Sequence, residues 1–302
     1  MGDVLLSRGV AEAIEAVGDP ELPFSAMAEE FASMDFVFAN LECPFAKKTV
    51  LPVRGNIFNV PQPWVAGLKK HRFTVLNLAN NHALDQGRQG LYDTIDLLDE
   101  TGLVGFGAGR TESEAWTPVV VEHHGIRVGF VGASYASIND DGSTYLKQVA
   151  RIEDKGRLQR AIADLKTRSD FVVATMHAGI EYVPISFGPQ HLFAKAAVEA
   201  GADLVIGAHP HVVQPVVFID DVPVFYSLGN FIFDQTKKRT DEGAAVLAEL
   251  VRDGGEVRLD RLEIWPVAIE GGVPRRIDGA RAEGVLARMK APSAVLVPRE
   301  TP

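Results

Sequence analysis

What this 302-residue chain lacks narrows its reading first. It has a single cysteine, Cys43, which excludes an internal disulfide framework and a thiolate zinc cluster and leaves Cys43 as a small packing residue. No run approaches the roughly eighteen consecutive apolar residues of a membrane-spanning helix. Nor does the opening "MGDVLLSRGVAEAIEAVGDPE" carry a basic region followed by an apolar one. Basic residues are in deficit: 30 Lys and Arg against 40 Asp and Glu leave a formal charge of −10, which argues against nucleic-acid binding. It does not exclude an anionic small substrate, because a bound metal can dominate the local field. Fixed-period repeats, low-complexity tracts and a Pro/Gly linker are also missing. With 46% hydrophobic and 23% charged residues, the expectation is one soluble, cytoplasmic domain over 1–302, with 271–302 as a C-terminal extension. Self-association is left open.

What is present is alternation of helix and strand. "PQPWVAGLKKH" (61–71) opens with proline and has helical apolar spacing; it leads into the strand pattern "FTVLNLANN" (73–81). Helix 87–102 ends in a glycine stop. Helix 158–170 precedes strand 171–179, and helix 189–201 precedes strand 202–211. Segments 118–134, 215–233 and 244–269 read as hairpins turning at His123–His124–Gly125, Asp220–Asp221 and Asp253–Gly254–Gly255. The fold class is α/β with mixed sheets.

The polar residues fall at strand ends. "VLNLANNH" (75–82), "FVVATMH" (171–177) and "LVIGAHPH" (204–211) each finish an aliphatic strand in histidine, and "FVFANLE" (36–42) finishes in Asn40 and Glu42. The carboxyl ends of strands in α/β folds are where sites assemble. Taken singly, each residue has a bland reading: a hydrogen-bonded core histidine, a surface carboxylate, a turn asparagine. Jointly, Glu42, Asn81, His82, His177, His209 and His211 point to one crevice. Their imidazole, carboxylate and amide donors suit a borderline divalent metal such as zinc, iron or manganese. His71, His123, His124 and His191 lie in helical or turn contexts and read as surface or structural.

These stretches resemble the CapA-type poly-γ-glutamate capsule-synthesis proteins, a branch of the calcineurin-like metallophosphoesterase superfamily. The matching segments run in order from "GDVLLSRG" (2–9) through "NLECP" (40–44), "NLANNHALDQG" (77–87), "GFGAG" (105–109) and "MHAGIEY" (176–182) to "GADLVIGAHPHVVQP" (201–215) and "YSLGNFIFDQ" (226–235). The resemblance implies a four-layer αββα sandwich with two mixed sheets and two divalent metal ions at the strand ends, with manganese, iron and zinc all in play. It implies that Asp3 and His211 bind one ion, that Asn81, His177 and His209 bind the other, and that Glu42 bridges them. His82 then stays off the metals as general acid, and Arg8 meets an anionic substrate oxygen. Asn40, Glu181, Tyr182 and Asn230 line the pocket or hold ligands from behind.

Three functions share those residues: hydrolysis of a phosphoester or related centre, action on amide or γ-glutamyl bonds in poly-γ-glutamate synthesis or processing, and a non-catalytic, metal-stabilised part in capsule assembly. A small or γ-glutamyl-type anionic substrate is expected. Relatives carry a hydrophobic strand ahead of the residues equivalent to Gly2–Asp3. The short aliphatic run "SAVLVP" (293–298), or a strand from a neighbouring molecule, is therefore expected to cover the sheet edge beside residues 3–6.

Overall fold

The computed structural model describes residues 1–135 and 147–296. The chain runs from β1 (Asp3–Val4) into α1 (Arg8–Val17), then α2 (Ala28–Ala32), β2 (Val37–Leu41), α3 (Val65–Lys70), β3 (Phe73–Asn77), α4 (Gly87–Thr101), β4 (Val104–Phe106) and α5 (Glu112–Ala115). A hairpin of β5 (Val119–His123) and β6 (Ile126–Ser134) follows, then α6 (Lys155–Arg168), β7 (Phe171–His177), α7 (Gly188–Glu199) and β8 (Leu204–Ala208). The last part comprises β9 (Val216–Ile219), β10 (Val222–Phe225), β11 (Asn230–Ile232), β12 (Glu242–Asp253), β13 (Glu256–Glu270), β14 (Val273–Arg276), α8 (Gly279–Arg288) and β15 (Val295–Leu296).

Two large sheets form the centre. The first, in the order β11-β1-β2-β3-β4, is parallel throughout. The second, β5-β6-β7-β8-β10-β9, is mixed, because the β5–β6 and β9–β10 pairs are antiparallel. Phe106 from one and Phe130, Phe171, Leu204 and Phe225 from the other meet in one apolar cluster between them. Helices cover the outer faces: Ile14, Leu68, Leu91 and Leu98 pack with the first sheet, and Leu158, Ile162, Leu165 and Phe193 with the second. This is the layering expected of the metallophosphoesterase-like sandwich. The long hairpin β12–β13, with β14, adds a third, antiparallel sheet.

One expectation changes. The edge beside residues 3–6 is covered not by the C-terminal run but by β11, with Asp3 paired to Asn230 and Val4 to Ile232. Of the run 293–298, residues 295 and 296 pair antiparallel with Glu263 and Leu262 of β13, and residues 297 and 298 lie outside the described residues. The reason is reach: after its hairpin, segment 215–233 crosses to the first sheet, so its last strand takes the place beside β1. Close approach there demands glycine, since a Cβ on Gly2 would sit 1.9 Å from the Gly229 carbonyl oxygen. Among the described residues, no helix is long and apolar enough to cross a membrane.

Candidate metal centre

Register builds the floor of the site. Asn230, Asp3, Asn40 and Asn77 stand opposite one another on the adjacent strands β11, β1, β2 and β3. Asn77 Nδ2 donates to Asn40 Oδ1, and Asn40 Nδ2 donates to Asp3 Oδ1, both at 2.8 Å. One residue beyond β2, Glu42 is wholly buried. The second sheet supplies the opposite wall: His177 ends β7, level with Ala208 of β8, and His209 and His211 follow directly. Gly207 is needed just before them, because a Cβ there would meet the Tyr226 carbonyl oxygen at 2.1 Å.

The predicted residues come together. His177 Nε2 lies 2.6 Å from Asn81 Oδ1, 3.0 Å from His209 Nδ1 and 3.9 Å from Glu42 Oε1. His211 Nδ1 is 3.4 Å from Asp3 Oδ2, and its Nε2 is 3.8 Å from Glu42 Oε1. Asp3, Glu42 and His177 alone offer three donor atoms within 4.8 Å of one another. Both oxygens of Glu42 are shut off from solvent without a hydrogen-bond partner. Such a group is costly unless a cation or proton satisfies it, so the donor set fits metal ions.

The electrostatics agree. Burial, with Asp3 nearby, pushes the Glu42 carboxyl well above its ordinary value. Burial opposes charge on Asp3 as well. There the hydrogen bond from His211 and the neighbouring His177 and His211 together outweigh it, holding Asp3 below the usual carboxylate range. Burial lowers His209 to about 4, helped by His211; burial and then His209 lower His177 well below the ordinary imidazole value. Both imidazoles are therefore neutral, the form that binds metal.

Surrounding side chains orient the donors. The Asn230 amide nitrogen is committed to Gln235 Oε1 and the Thr240 carbonyl, so its oxygen accepts from His211 Nδ1 at 2.9 Å. That fixes the His211 proton on Nδ1 and leaves the Nε2 lone pair facing Glu42. Tyr182 stacks over His211, its phenol receiving a hydrogen bond from Gln235. Burial and then the charge of Glu181 raise Tyr182 to about 12. The charge of Glu181 is also felt at Glu42 and His209. His82 turns Nε2 to within 3.7 Å of Glu42 Oε1; its Nδ1 pairs with Asp85 Oδ2 at 2.8 Å, and the Phe58 ring stacks on it at 4.0 Å. Arg8 stands at the rim over Phe58, its guanidinium held by both Asp234 oxygens and by the Gly55 carbonyl.

Asp85, Asp234 and Asn77 were not singled out by the sequence reading, although each lies inside a quoted motif. A carboxylate in a loop looks like any solvated one until its partner is known. Backbone strain was equally hidden: Arg8, Tyr182, His209 and His211 all have positive φ, at 53°, 66°, 97° and 58°, a conformation that side-chain-bearing residues hold only where the surroundings enforce it. His71, expected to be surface or structural, is buried and stacks at 5.0 Å on Phe24, and His191 hydrogen-bonds Ser186. Cys43 is buried, and burial raises its thiol to about 12.

The chain matches, over residues 1–235, the family described as bacterial capsule synthesis protein PGA_cap. It is 34% identical over 297 residues to the capsule biosynthesis protein CapA of Bacillus anthracis, which covers 93% of this chain and 69% of that one. With the PGA biosynthesis protein CapA of Bacillus subtilis it shares 31% over 279 residues, covering 91% and 72%. Among solved structures, the calcineurin-like phosphoesterase YfkN of Bacillus subtilis superposes with a TM-score of 0.53 at 15% identity, covering 90% of this chain and 87% of that one. That likeness establishes the fold.

Proposed function

The chain belongs to the bacterial capsule synthesis protein PGA_cap family, and from that premise we propose that it is a metal-dependent hydrolase acting on a phosphoester or a related electrophilic centre. The observation that carries the proposal is Glu42, a buried carboxylate with both oxygens unpartnered, within 4 Å of His82, His177 and His211. Asp3 and His211 would hold one ion, Asn81, His177 and His209 another, with Glu42 serving both. Such a pair of cations supplies charge stabilisation and a water of lowered pKa.

The protein's own groups do the rest. His82, oriented by Asp85, presents Nε2 to the leaving oxygen and hands it a proton. Arg8 at the rim receives an anionic substrate oxygen; the groove of about 910 Å³ beside it is lined by acidic Glu12, Glu15 and Asp234 as well as by Lys47 and Arg54, so the attraction comes from the guanidinium and the cations rather than from the groove. Phe58 shields one face of His82 from water. A second reading, cleavage or transfer at γ-glutamyl amide bonds, draws on the relatives' names, capsule and PGA biosynthesis. It uses the same residues, with the charge stabilisation directed at a tetrahedral carbonyl centre.

The deciding experiment supplies purified protein with manganese and offers it an aryl phosphate and a γ-glutamyl peptide in parallel. Phosphate release supports the first reading and glutamate release the second. Inertness towards both at full metal occupancy would overturn the hydrolase proposal in favour of a metal-stabilised assembly component.

A further inference from the structure

At the far end of the sandwich from the central site, a second group of metal-type donors brings the two sheets together. Asp35 lies in the turn just before β2 of the first sheet, while His123 ends β5 and His124 makes the β5–β6 turn of the second. Asp35 Oδ1 is 3.3 Å from His123 Nδ1 and 3.5 Å from His124 Nε2. The three donor atoms lie within 4.8 Å of one another. Neighbouring ligands on a tetrahedral zinc with bonds of about 2.0–2.2 Å stand roughly 3.3–3.5 Å apart, so two of the three separations already suit an ion.

One further observation points to a ligand. His123 Nδ1 is closed off from solvent and makes no hydrogen bond, although Asp35 Oδ1 is near enough for one. Close donor atoms that do not bond to each other are what a shared ion between them produces. His124 sits at φ 49° and Gly125 at φ 76°, the left-handed pair that a two-residue β-hairpin turn requires. The turn sets the His124 ring edge-to-face onto His123, with centroids 4.3 Å apart. The three residues also stand at the mouth of a cavity of about 490 Å³ between the sheets, lined by apolar side chains including Met34, Phe38, Phe130 and Leu250.

We propose that Asp35, His123 and His124 form a second divalent-metal site, selective for a borderline ion of the zinc type, which clasps the two sheets together at the mouth of that cavity. Two imidazoles and one carboxylate exclude a preference for magnesium or calcium, which favour all-oxygen sets. With three protein ligands, the fourth position stays open to water or to an incoming anionic group.

The test separates this site from the central one. Protein is dialysed against zinc, desalted, analysed for retained metal and then titrated with further Zn²⁺ by calorimetry. Wild type is expected to take up one additional equivalent and to gain thermal stability as it does so. The paired substitution His123→Ala with His124→Ala, and separately Asp35→Asn, should weaken that uptake at least ~10-fold, the lower range for loss of a metal-site partner, and abolish the stability gain. Zinc retained through desalting, which reports the central site, should be unchanged. The side chains of all three are partly or largely exposed, and circular dichroism verifies that the variants fold. Wild type taking up no further equivalent, or the variants taking it up with unaltered affinity, would overturn the proposal; the first result would leave only an ion pair between Asp35 and a protonated imidazole.

Discussion

At the scale of single residues, His82 and His177 sit at comparable distances from Glu42 but have different partners, and they should separate in experiment. His82→Ala should leave metal content nearly intact while lowering kcat by ~10²–10⁴-fold, the usual cost of losing general acid–base help. His177→Ala should remove metal and activity together; equal metal loss in both variants would move His82 into the coordination sphere. Glu42→Gln offers a second separation. It preserves shape and deletes the charge that burial and Asp3 disfavour, so metal binding should collapse while the chelator-treated variant unfolds at the same or higher urea concentration than chelator-treated wild type. In that metal-free background the pH dependence has a definite sign. His209 titrates near 4 in the fold against 6.5 when unfolded, so between those values the unfolded chain carries more protons and stability rises with pH. His177 acts in the same direction. The urea midpoint of Glu42→Gln is expected to climb from pH 4 to 6.5; a midpoint that stays flat there contradicts the burial of neutral imidazoles.

At the scale of elements, β15 provides the test. Leu296 is buried against β13, far along the sequence from the strand-end ligands. Leu296→Ala should destabilise the protein by about 2 kcal/mol, within the range for truncating a buried leucine, with central metal content unaltered. Metal loss in this variant would show that the third sheet supports the site directly. The elements themselves were largely legible. Helical spacing announced α4 and α7, with a glycine stop ending α4, and aliphatic runs ending in Asn81, His177 and His209 announced the strands and the donors at their ends, because local periodicity and side-chain type are written in consecutive residues. Strand partners were not legible. Nothing near Asp3 says that its neighbour is Asn230, and nothing near His82 or Arg8 says which loop carboxylate, Asp85 or Asp234, will hold it. Such pairings are decided by packing across the whole chain rather than by local pattern.

At the scale of the molecule, the central donors come from both large sheets: Asp3, Glu42 and Asn81 lie on or after strands of the first, His177, His209 and His211 on or after strands of the second. Metal held between them stabilises only the assembled sandwich, by mass action on the folded state. Chelation should therefore lower the melting temperature of wild type but leave that of Glu42→Gln unmoved, a comparison that scanning calorimetry makes directly. Equal shifts in both would mean that the chelator acts elsewhere.

The place of β1 has a further consequence for how the protein is made. This strand is finished four residues into the chain, yet it lies between β2 and β11, and its partner Asn230 and the Asp234 that grips Arg8 are among the later residues to emerge from a ribosome. At about 5–20 residues per second, Asp3 waits on the order of 10–45 s for the strand that seats it. During that wait a nascent chain can expose β2, β3 and the first helices but not a closed centre. On the proposed metal centre, cations met early would find only scattered donors, and loading would be a closing event of biosynthesis rather than a guide to it.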